Sequence, residues 1–108
     1  MKDDAVYLRH ILECIRRIEE DTASGIEAFR GSRTHQDAVL RNLQVFAEST
    51  QRLSSELKSA WPHVEWARIA AFRNVLVRDS LGVDLERIWD ITQRDVPELK
   101  KIVTRMLQ

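Results

Sequence analysis

Two arginines and a serine lie close together in the second half of the chain, in the stretch 73–80 (RNVLVRDS). A guanidinium group can hold two nonbridging oxygens of one phosphate, which makes Arg73 a candidate for stabilising charge on a phosphoryl group. Ser80 follows seven residues later, and at ~100° per residue a continuous helix would place both residues on nearly one line. Judged by residue type alone, Arg73 is more often a surface arginine that is paired with a carboxylate.

The same stretch resembles the signature of the HEPN superfamily, in its HepT-like branch. There an Arg-Asn pair is followed by a His and then, two residues on, by a Tyr. Arg73 and Asn74 match the pair, whereas Arg78 stands at the position of the His and Ser80 at that of the Tyr. Three further stretches are similar to HepT-family sequence: 7–12 (YLRHIL), 36–43 (QDAVLRNL) and 82–89 (GVDLERIW). The resemblance therefore covers nearly the whole chain.

This resemblance implies a HEPN-type helical homodimer in which the signatures of both subunits meet at a cleft. It implies cleavage of RNA there without a metal or other cofactor, and a place as the ribonuclease toxin of a type VII toxin–antitoxin pair. The antitoxin partner would be a MntA-like nucleotidyltransferase, and some family toxins are silenced by AMP attached to the Tyr. The implied site positions are Arg73, Asn74, Arg78 and Ser80. Glu48 matches an acidic family position and could orient Arg73, with a solvated carboxylate beside the helix seam as the equal alternative.

The two substitutions bear on activity. Metal-free RNA cleavage needs groups that deprotonate a 2′-hydroxyl and protonate the leaving oxygen, and histidine can do both near neutral pH. A guanidinium stays protonated there, so Arg78 cannot accept the proton. The absence of the histidine as a general base would lower the rate of cleavage roughly 10²–10⁴-fold. Arg78 could still bind phosphate or simply face water. Ser80 keeps a hydroxyl that a nucleotidyltransferase could modify, but a capping or solvated serine is favoured.

Two alternatives follow from these substitutions. The chain could be a catalytically inactive HEPN module that binds the nucleotidyltransferase or RNA through the same dimer. The substitutions could also have been selected or made to detoxify the protein. A replacement base would require the fold to bring in one of the three histidines, which lie on separate elements outside the signature: His10, His35 and His63.

Composition predicts one all-α domain over residues 1–108. Hydrophobic residues make up 44% of the chain and charged residues 31%, with only 3 Gly and 2 Pro, as is usual for a compact helical protein. Basic and acidic residues balance at 17 each, so no overall field attracts nucleic acid or membrane, and any RNA contact must be local.

Cys14 is the single cysteine, so no disulfide within the chain is possible, and no neighbouring cluster makes it a metal ligand. The first residues lack the order of a signal peptide, and no apolar run approaches the length of a membrane span. A soluble, cytoplasmic protein is expected.

Apolar residues recur at steps of three and four and predict four or five main helices. The first helix is expected from Ala5 to Glu20, with Asp4 as its cap. Residues 22–33 are polar, are broken by two glycines and predict only a short helical turn.

A long helix is expected next, capped by Thr34 and running to about Ser59, where Trp61-Pro62 ends it. Its apolar seam has the spacing of a coiled coil and consists of Val39, Leu43, Phe46, Thr50, Leu53 and Leu57. A seam that faces the protein's own core is the favoured interpretation, because fewer than ~4 heptads do not require a separate coiled coil.

Three further helical segments are expected: one from near Glu65 to the signature, one over Leu85–Arg94, and a last one after residue 95. The expected caps are Gly82 at the end of the first, Asp84 at the start of the second, and Asp95 with Pro97 at the start of the third. The tryptophans Trp61, Trp66 and Trp89 are expected to be core or interface anchors rather than platforms for stacked bases.

Overall fold

The computed structural model describes residues 2–78 and 84–108, and the side chains of residues 3–72 and 84–108. Within these ranges the chain is helical and contains no β-strand, which confirms the all-α class. The elements are α1 (Lys2–Thr22), α2 (Ile26–Gly31), α3 (Arg33–Gln51), α4 (Ser55–Ala60), α5 (Trp66–Arg78), α6 (Leu85–Asp90), a π-helical segment (Ile91–Asp95) and α7 (Val96–Leu107). Four of these helices, α1, α3, α5 and α7, have 12 residues or more, and the other three have 6 each.

The long helices pack side by side around one core. The most extensive helix contact is between α1 and α3, and α5 packs against α3 while α7 packs against α1. The start of α1 meets the end of α3, since the Asp4 carboxylate accepts hydrogen bonds from Ser54. The two helices are therefore antiparallel, and α3 lies between α1 and α5.

Apolar stripes with helical spacing build the core. On α1 the stripe consists of Leu8, Ile11, Ile15 and Ile18, each at most 3% exposed, and on α3 of Val39, Leu43 and Phe46, each fully buried. The seam of α3 therefore faces the protein's own core, as the sequence favours. Leu53, from the same seam, is 4% exposed.

The expectation of one long helix to Ser59 is wrong, because α3 ends at Gln51 and α4 begins at Ser55. Ser54 caps α4 by accepting a hydrogen bond from the Leu57 amide at 3.1 Å. The Asp4 carboxylate accepts from the Ser54 amide at 2.8 Å and from its hydroxyl at 2.6 Å. A capping serine with a buried carboxylate partner thus offers the backbone an alternative to continuing the helix.

Two of the expected amino-terminal caps, Asp4 and Thr34, are wrong. Asp4 lies inside α1, which begins at Lys2, and its side chain serves α4 instead. Thr34 lies inside α3, and Ser32 is the residue that caps this helix, by accepting from the His35 amide at 3.2 Å. Both errors arise because several polar residues precede the apolar pattern, and periodicity alone does not choose among them.

Asp95 also does not cap the last helix. The chain passes from α6 through the π-helical segment directly into α7, and Asp95 has helical backbone angles (φ −72°, ψ −41°) and no capping hydrogen bond. Proline lacks an amide hydrogen and its ring crowds the carbonyl four residues earlier, so the wider π turn accommodates Pro97 in the first turn of α7. Asp84 is confirmed as the cap of α6, since it accepts from the Arg87 amide at 3.1 Å. The expected cap Gly82 lies outside the described residues.

The three tryptophans anchor the connections to the core, as expected. All three are partly buried and pack against the core cluster. The Trp66 indole Nε1 donates to the Trp61 carbonyl at 3.1 Å, and the Trp89 ring lies 5.5 Å from that of Phe29, centroid to centroid. The expected short turn after α1 is also present, as α2, with Phe29 1% exposed.

Candidate active site

Helix α5 carries most of the predicted site. Arg73, Asn74 and Arg78 lie in its carboxy-terminal half, although their side chains lie outside the described residues. Ser80 lies outside the described residues altogether. The first half of α5 is anchored by Ile69 (7% exposed) and Phe72 (5% exposed), which pack into the core. These anchors hold α5 against α3.

Glu48 lies on the exposed side of α3, three residues before the end of that helix. Because α3 packs against α5, the helix that carries Glu48 and the helix that carries Arg73 are neighbours. The contact between the two side chains remains a prediction. Neighbouring helices are the arrangement in which a carboxylate can orient a guanidinium by a charge-assisted hydrogen bond.

The three histidines lie on separate elements, as the sequence indicates. His10 is on α1, His35 is on α3, and His63 lies in the connection between α4 and α5. The Nδ1 atom of His35 is enclosed and has no hydrogen-bond partner within the described residues. His10 and His63 are exposed, and each lines a different cavity.

The cavity beside His10 lies between α1 and α3 and has a volume of about 310 Å³. Its lining residues are His10, Glu13, Cys14 and Arg17 from α1, with Arg41, Asn42 and Val45 from α3. Sequence reasoning did not select Arg17 or Arg41. The available signal was spacing, because His10 and Arg17, and likewise Arg41 and Glu48, are seven residues apart and so share a helix face.

The charges of this cavity are unevenly paired. Glu13 accepts two hydrogen bonds from Arg16, at 2.6 and 3.1 Å, and these bonds lower the pKa of Glu13 to about 2, with Arg17 adding to the effect. Arg17 donates only its Nε to Glu13, at 3.3 Å. Arg41 is exposed and forms no ion pair with any other described residue. The cavity therefore presents the guanidinium of Arg41, which no described carboxylate neutralises, beside that of Arg17, which is paired with Glu13 through its Nε alone.

A second cavity, of about 490 Å³, lies between the start of α5 and the start of α7. It is larger but less suited to an anion, because three carboxylates line it: Glu65, Asp95 and Glu98. Its Arg68 is already held by Asp95 through hydrogen bonds at 3.1 and 3.4 Å. Carboxylates repel phosphate, so the α1–α3 cavity is the better candidate for binding a nucleic acid.

The single cysteine also borders the α1–α3 cavity but is not set up as a nucleophile. Cys14 is 4% exposed, and burial raises the pKa of its thiol above the usual value. The thiolate is the reactive form, so this side chain acts as a small apolar part of the wall. Within the described ranges no three His, Cys, Asp or Glu residues are grouped as a metal site would require, and no described helix is long and apolar enough to cross a membrane.

Comparison with known proteins identifies the family. The sequence profile described as "Ribonuclease HepT-like" matches residues 11–106. A protein of Caldanaerobacter subterraneus named "Putative RNase" is 33% identical over 100% of this chain and 97% of its own length. A protein of Thermococcus cleftensis named "Probable ribonuclease HepT" is 33% identical over 87% of this chain and 86% of its own.

One similar protein is much longer. A Methanocaldococcus jannaschii protein named "Gamma-glutamylcyclotransferase and putative RNase" is 36% identical over 99% of this chain. The chain spans only 49% of the length of that relative. No solved structure matches the chain.

Proposed function

Because the chain belongs to the HepT-like ribonuclease family, we propose that it is the ribonuclease toxin of a type VII toxin–antitoxin pair, with impaired cleavage of RNA. The observation that carries the proposal is the family match over residues 11–106, a range that contains the Arg73-Asn74 pair. The proposed impairment follows from Arg78 and Ser80, which stand where the family signature has His and Tyr.

In this proposal RNA is cut by its own 2′-hydroxyl group, without a metal. The hydroxyl loses its proton, its oxygen attacks the adjacent phosphorus, and the 5′-oxygen of the next nucleotide leaves and takes up a proton. Arg73, with Asn74 beside it, would hold the nonbridging oxygens on which negative charge builds in the transition state. Glu48, on the neighbouring helix α3, would orient Arg73.

Arg78 adds positive charge to such a site but cannot take part in proton transfer, because a guanidinium stays protonated at neutral pH. An imidazole at this position would be able to accept the hydroxyl proton and return it to the leaving oxygen. Ser80 offers a hydroxyl that a nucleotidyltransferase could adenylylate, although a serine oxygen reaches less far from the backbone than that of tyrosine.

The proposal is tested by Arg78→His, alone and together with Ser80→Tyr. We expect restored cleavage of RNA in vitro, roughly 10²–10⁴-fold faster than that of the unaltered chain, and growth arrest when the variant is expressed. Arg105→His is the matched control, because Arg105 is an exposed arginine on α7, outside the proposed site, and this variant should restore nothing.

Adding Arg73→Ala to the restored protein should abolish cleavage by removing the group that holds the phosphate. The proposal would be wrong if the unaltered chain cut RNA rapidly and Arg73→Ala left that rate unchanged. The reacting groups would then lie elsewhere on the molecule.

The second candidate function is an inactive HEPN module that binds a MntA-like nucleotidyltransferase, and the missing proton acceptor at Arg78 favours it. Docking of the partner need not depend on that residue, so we expect co-purification of the two proteins from cells that express both. Mass spectrometry of the complex would detect an adenylyl group on Ser80. If a correctly folded chain failed to co-elute with the nucleotidyltransferase, the toxin–antitoxin assignment would be contradicted.

A further inference from the structure

The cavity between α1 and α3, here called the α1–α3 groove and defined by the seven lining residues given above, lies outside the predicted signature. It combines two guanidinium groups and an imidazole with a single carboxylate. That carboxylate, Glu13, is held mainly by Arg16. The remaining guanidinium nitrogens of Arg17 and all those of Arg41 have no hydrogen-bond partner within the described residues. Arg41 therefore offers an unpaired guanidinium, whereas Arg17 offers only the nitrogens that its ion pair with Glu13 does not use. Planar donors of this kind are suited to phosphate oxygens.

The walls of the groove are formed by two closely packed helices. Arg17 lies on α1 and Arg41 on α3, and these two helices form the most extensive contact in the described part of the molecule. Beneath the groove the contact is built from fully buried side chains, among them Ile15 and Leu43. The backbones that carry the two arginines are therefore held on opposite walls of the groove, so only the side chains have to be ordered when a ligand binds.

The groove also lies on the helix that carries Glu48, one of the predicted site residues. Arg41 precedes Glu48 by seven residues on α3, a distance of about 10 Å along the helix axis at 1.5 Å per residue, and both are exposed. The exposed face of α3 thus leads from the groove to Glu48, whose helix packs against the helix of Arg73.

We propose that the α1–α3 groove binds the phosphate backbone of single-stranded RNA, with Arg17 and Arg41 as the contacting groups. This inference rests on the proposed ribonuclease function, because the groove would hold the part of the RNA strand that lies outside the cleavage site. A volume of about 310 Å³ is at the lower end of the range for small-ligand sites, roughly 300–1,000 Å³, and suits one phosphate with part of its ribose. Because the chain carries no net charge, it has no overall attraction for RNA. Local guanidinium groups must therefore provide the attraction.

The test measures binding rather than cleavage. A fluorescein-labelled single-stranded RNA of 12 nucleotides is titrated with the unaltered chain, Arg17→Ala and Arg41→Ala, and fluorescence anisotropy is followed at several KCl concentrations. Each variant should weaken binding about two- to fivefold, the range for an exposed ion pair. Each should also reduce the slope of log K against log[KCl] by about 0.7, the value for one phosphate contact to a single strand. Arg105→Ala removes an exposed arginine from α7 and should change neither quantity.

A second measurement locates the bound strand. His10 lines the groove, whereas His63 lines the other cavity, so the imidazole NMR signals of His10 should shift when the same RNA is added and those of His63 should not. Circular dichroism spectra of the two variants should match that of the unaltered chain, because both arginines are exposed.

Two results would overturn the inference: no measurable binding of the RNA by the unaltered chain, or salt slopes for Arg17→Ala and Arg41→Ala equal to that of Arg105→Ala. Binding of poly-glutamate that depends on Arg41, without binding of RNA, would assign the groove to an acidic protein partner and would also overturn it. Failure of the ribonuclease proposal can be distinguished from failure of this inference. The ribonuclease proposal fails if the Arg78→His chain does not cut RNA, whatever the salt slopes of the binding experiment are.

Discussion

At the scale of single residues, the pair formed by Asp4 and Ser54 has the clearest consequence for stability. Asp4 is 7% exposed, so its carboxylate has little contact with water and depends on the Ser54 amide and hydroxyl for hydrogen bonds. The hydroxyl bond is the main cause that lowers the pKa of Asp4 below its usual value, with the amide bond adding to it. A buried carboxylate that keeps its charge in this way stabilises the folded state.

We predict that Asp4→Ala lowers the free energy of unfolding at pH 7 by about 2 kcal/mol, because hydrogen bonds to a charged group contribute roughly 1.5–3 kcal/mol. The pKa of Asp4 is lower in the folded than in the unfolded chain, so its contribution is complete above the unfolded value near ~4 and is lost as the pH falls through the folded value. The difference between the unaltered chain and Asp4→Ala should therefore shrink from pH 7 to below pH ~3, as measured by urea unfolding.

Asp3→Ala is the control for this prediction, because Asp3 also lies in the first turn of α1 but is exposed. It should change the free energy of unfolding by no more than about 0.5 kcal/mol. A difference between Asp4→Ala and the unaltered chain that stays constant through the acid range would show that the carboxylate charge is not the stabilising feature.

At the scale of elements, the passage from α6 to α7 shows how a strong local pattern can mislead. The Asp-Val-Pro-Glu sequence at 95–98 is typical of a helix start, yet the chain is already helical before it. The Val96 amide donates to the Ile91 carbonyl, the spacing of a π turn, and the buried Thr92 hydroxyl donates to the Trp89 carbonyl at 2.7 Å. Asp95 is consequently used for an ion pair with Arg68.

This difference in roles predicts different effects for two aspartates. Asp84→Ala should lower the free energy of unfolding by about 1 kcal/mol, within the roughly 0.5–2 kcal/mol expected for the loss of an amino-terminal cap. Asp95→Ala should cost about 0.5 kcal/mol or less, because it removes only an ion pair in which the Arg68 side chain is 58% exposed. Urea unfolding of both variants at pH 7 tests the ranking, and a larger loss for Asp95→Ala would contradict the absence of a capping role.

At the scale of the whole molecule, the proposed function requires two copies of the chain. One described chain presents α5 beside α3, whereas the proposed cleft would form only where the signatures of two subunits met. Two facing Arg73 side chains would repel each other unless an anion lay between them. Dimer formation and phosphate binding are therefore expected to support each other.

We predict a homodimer in solution, with a mass of twice the 12.6 kDa of one chain, when the protein is measured by light scattering at micromolar concentration. Sulfate or phosphate should strengthen the dimer of the unaltered chain, and Arg73→Ala should remove that dependence on the anion. A mass of one chain across the micromolar range, with or without phosphate, would contradict the dimeric arrangement.

The sequence by itself determined the helical class and the family. Apolar residues such as Ile11, Ile15, Val39 and Leu43 recur with the period of a helix, and that period leaves few alternatives to a bundle. The family resemblance, carried by stretches spread over the chain, is confirmed by the profile match to residues 11–106. The chemistry expected of Arg73 and Arg78 likewise follows from residue type and position in the signature, and stays a prediction.

Only the tertiary structure decided where the long helix breaks and which cations lie together. The helix breaks at Ser54 because Asp4, 50 residues earlier, supplies a buried acceptor for the Ser54 amide and hydroxyl. The helix propensities of the residues around Ser54 do not contain that information. Arg17 and Arg41 belong to different helices, and they share a groove only because α1 packs antiparallel against α3. Contacts between distant residues depend on how the buried faces pack, so a periodic pattern identifies the faces but not their partners.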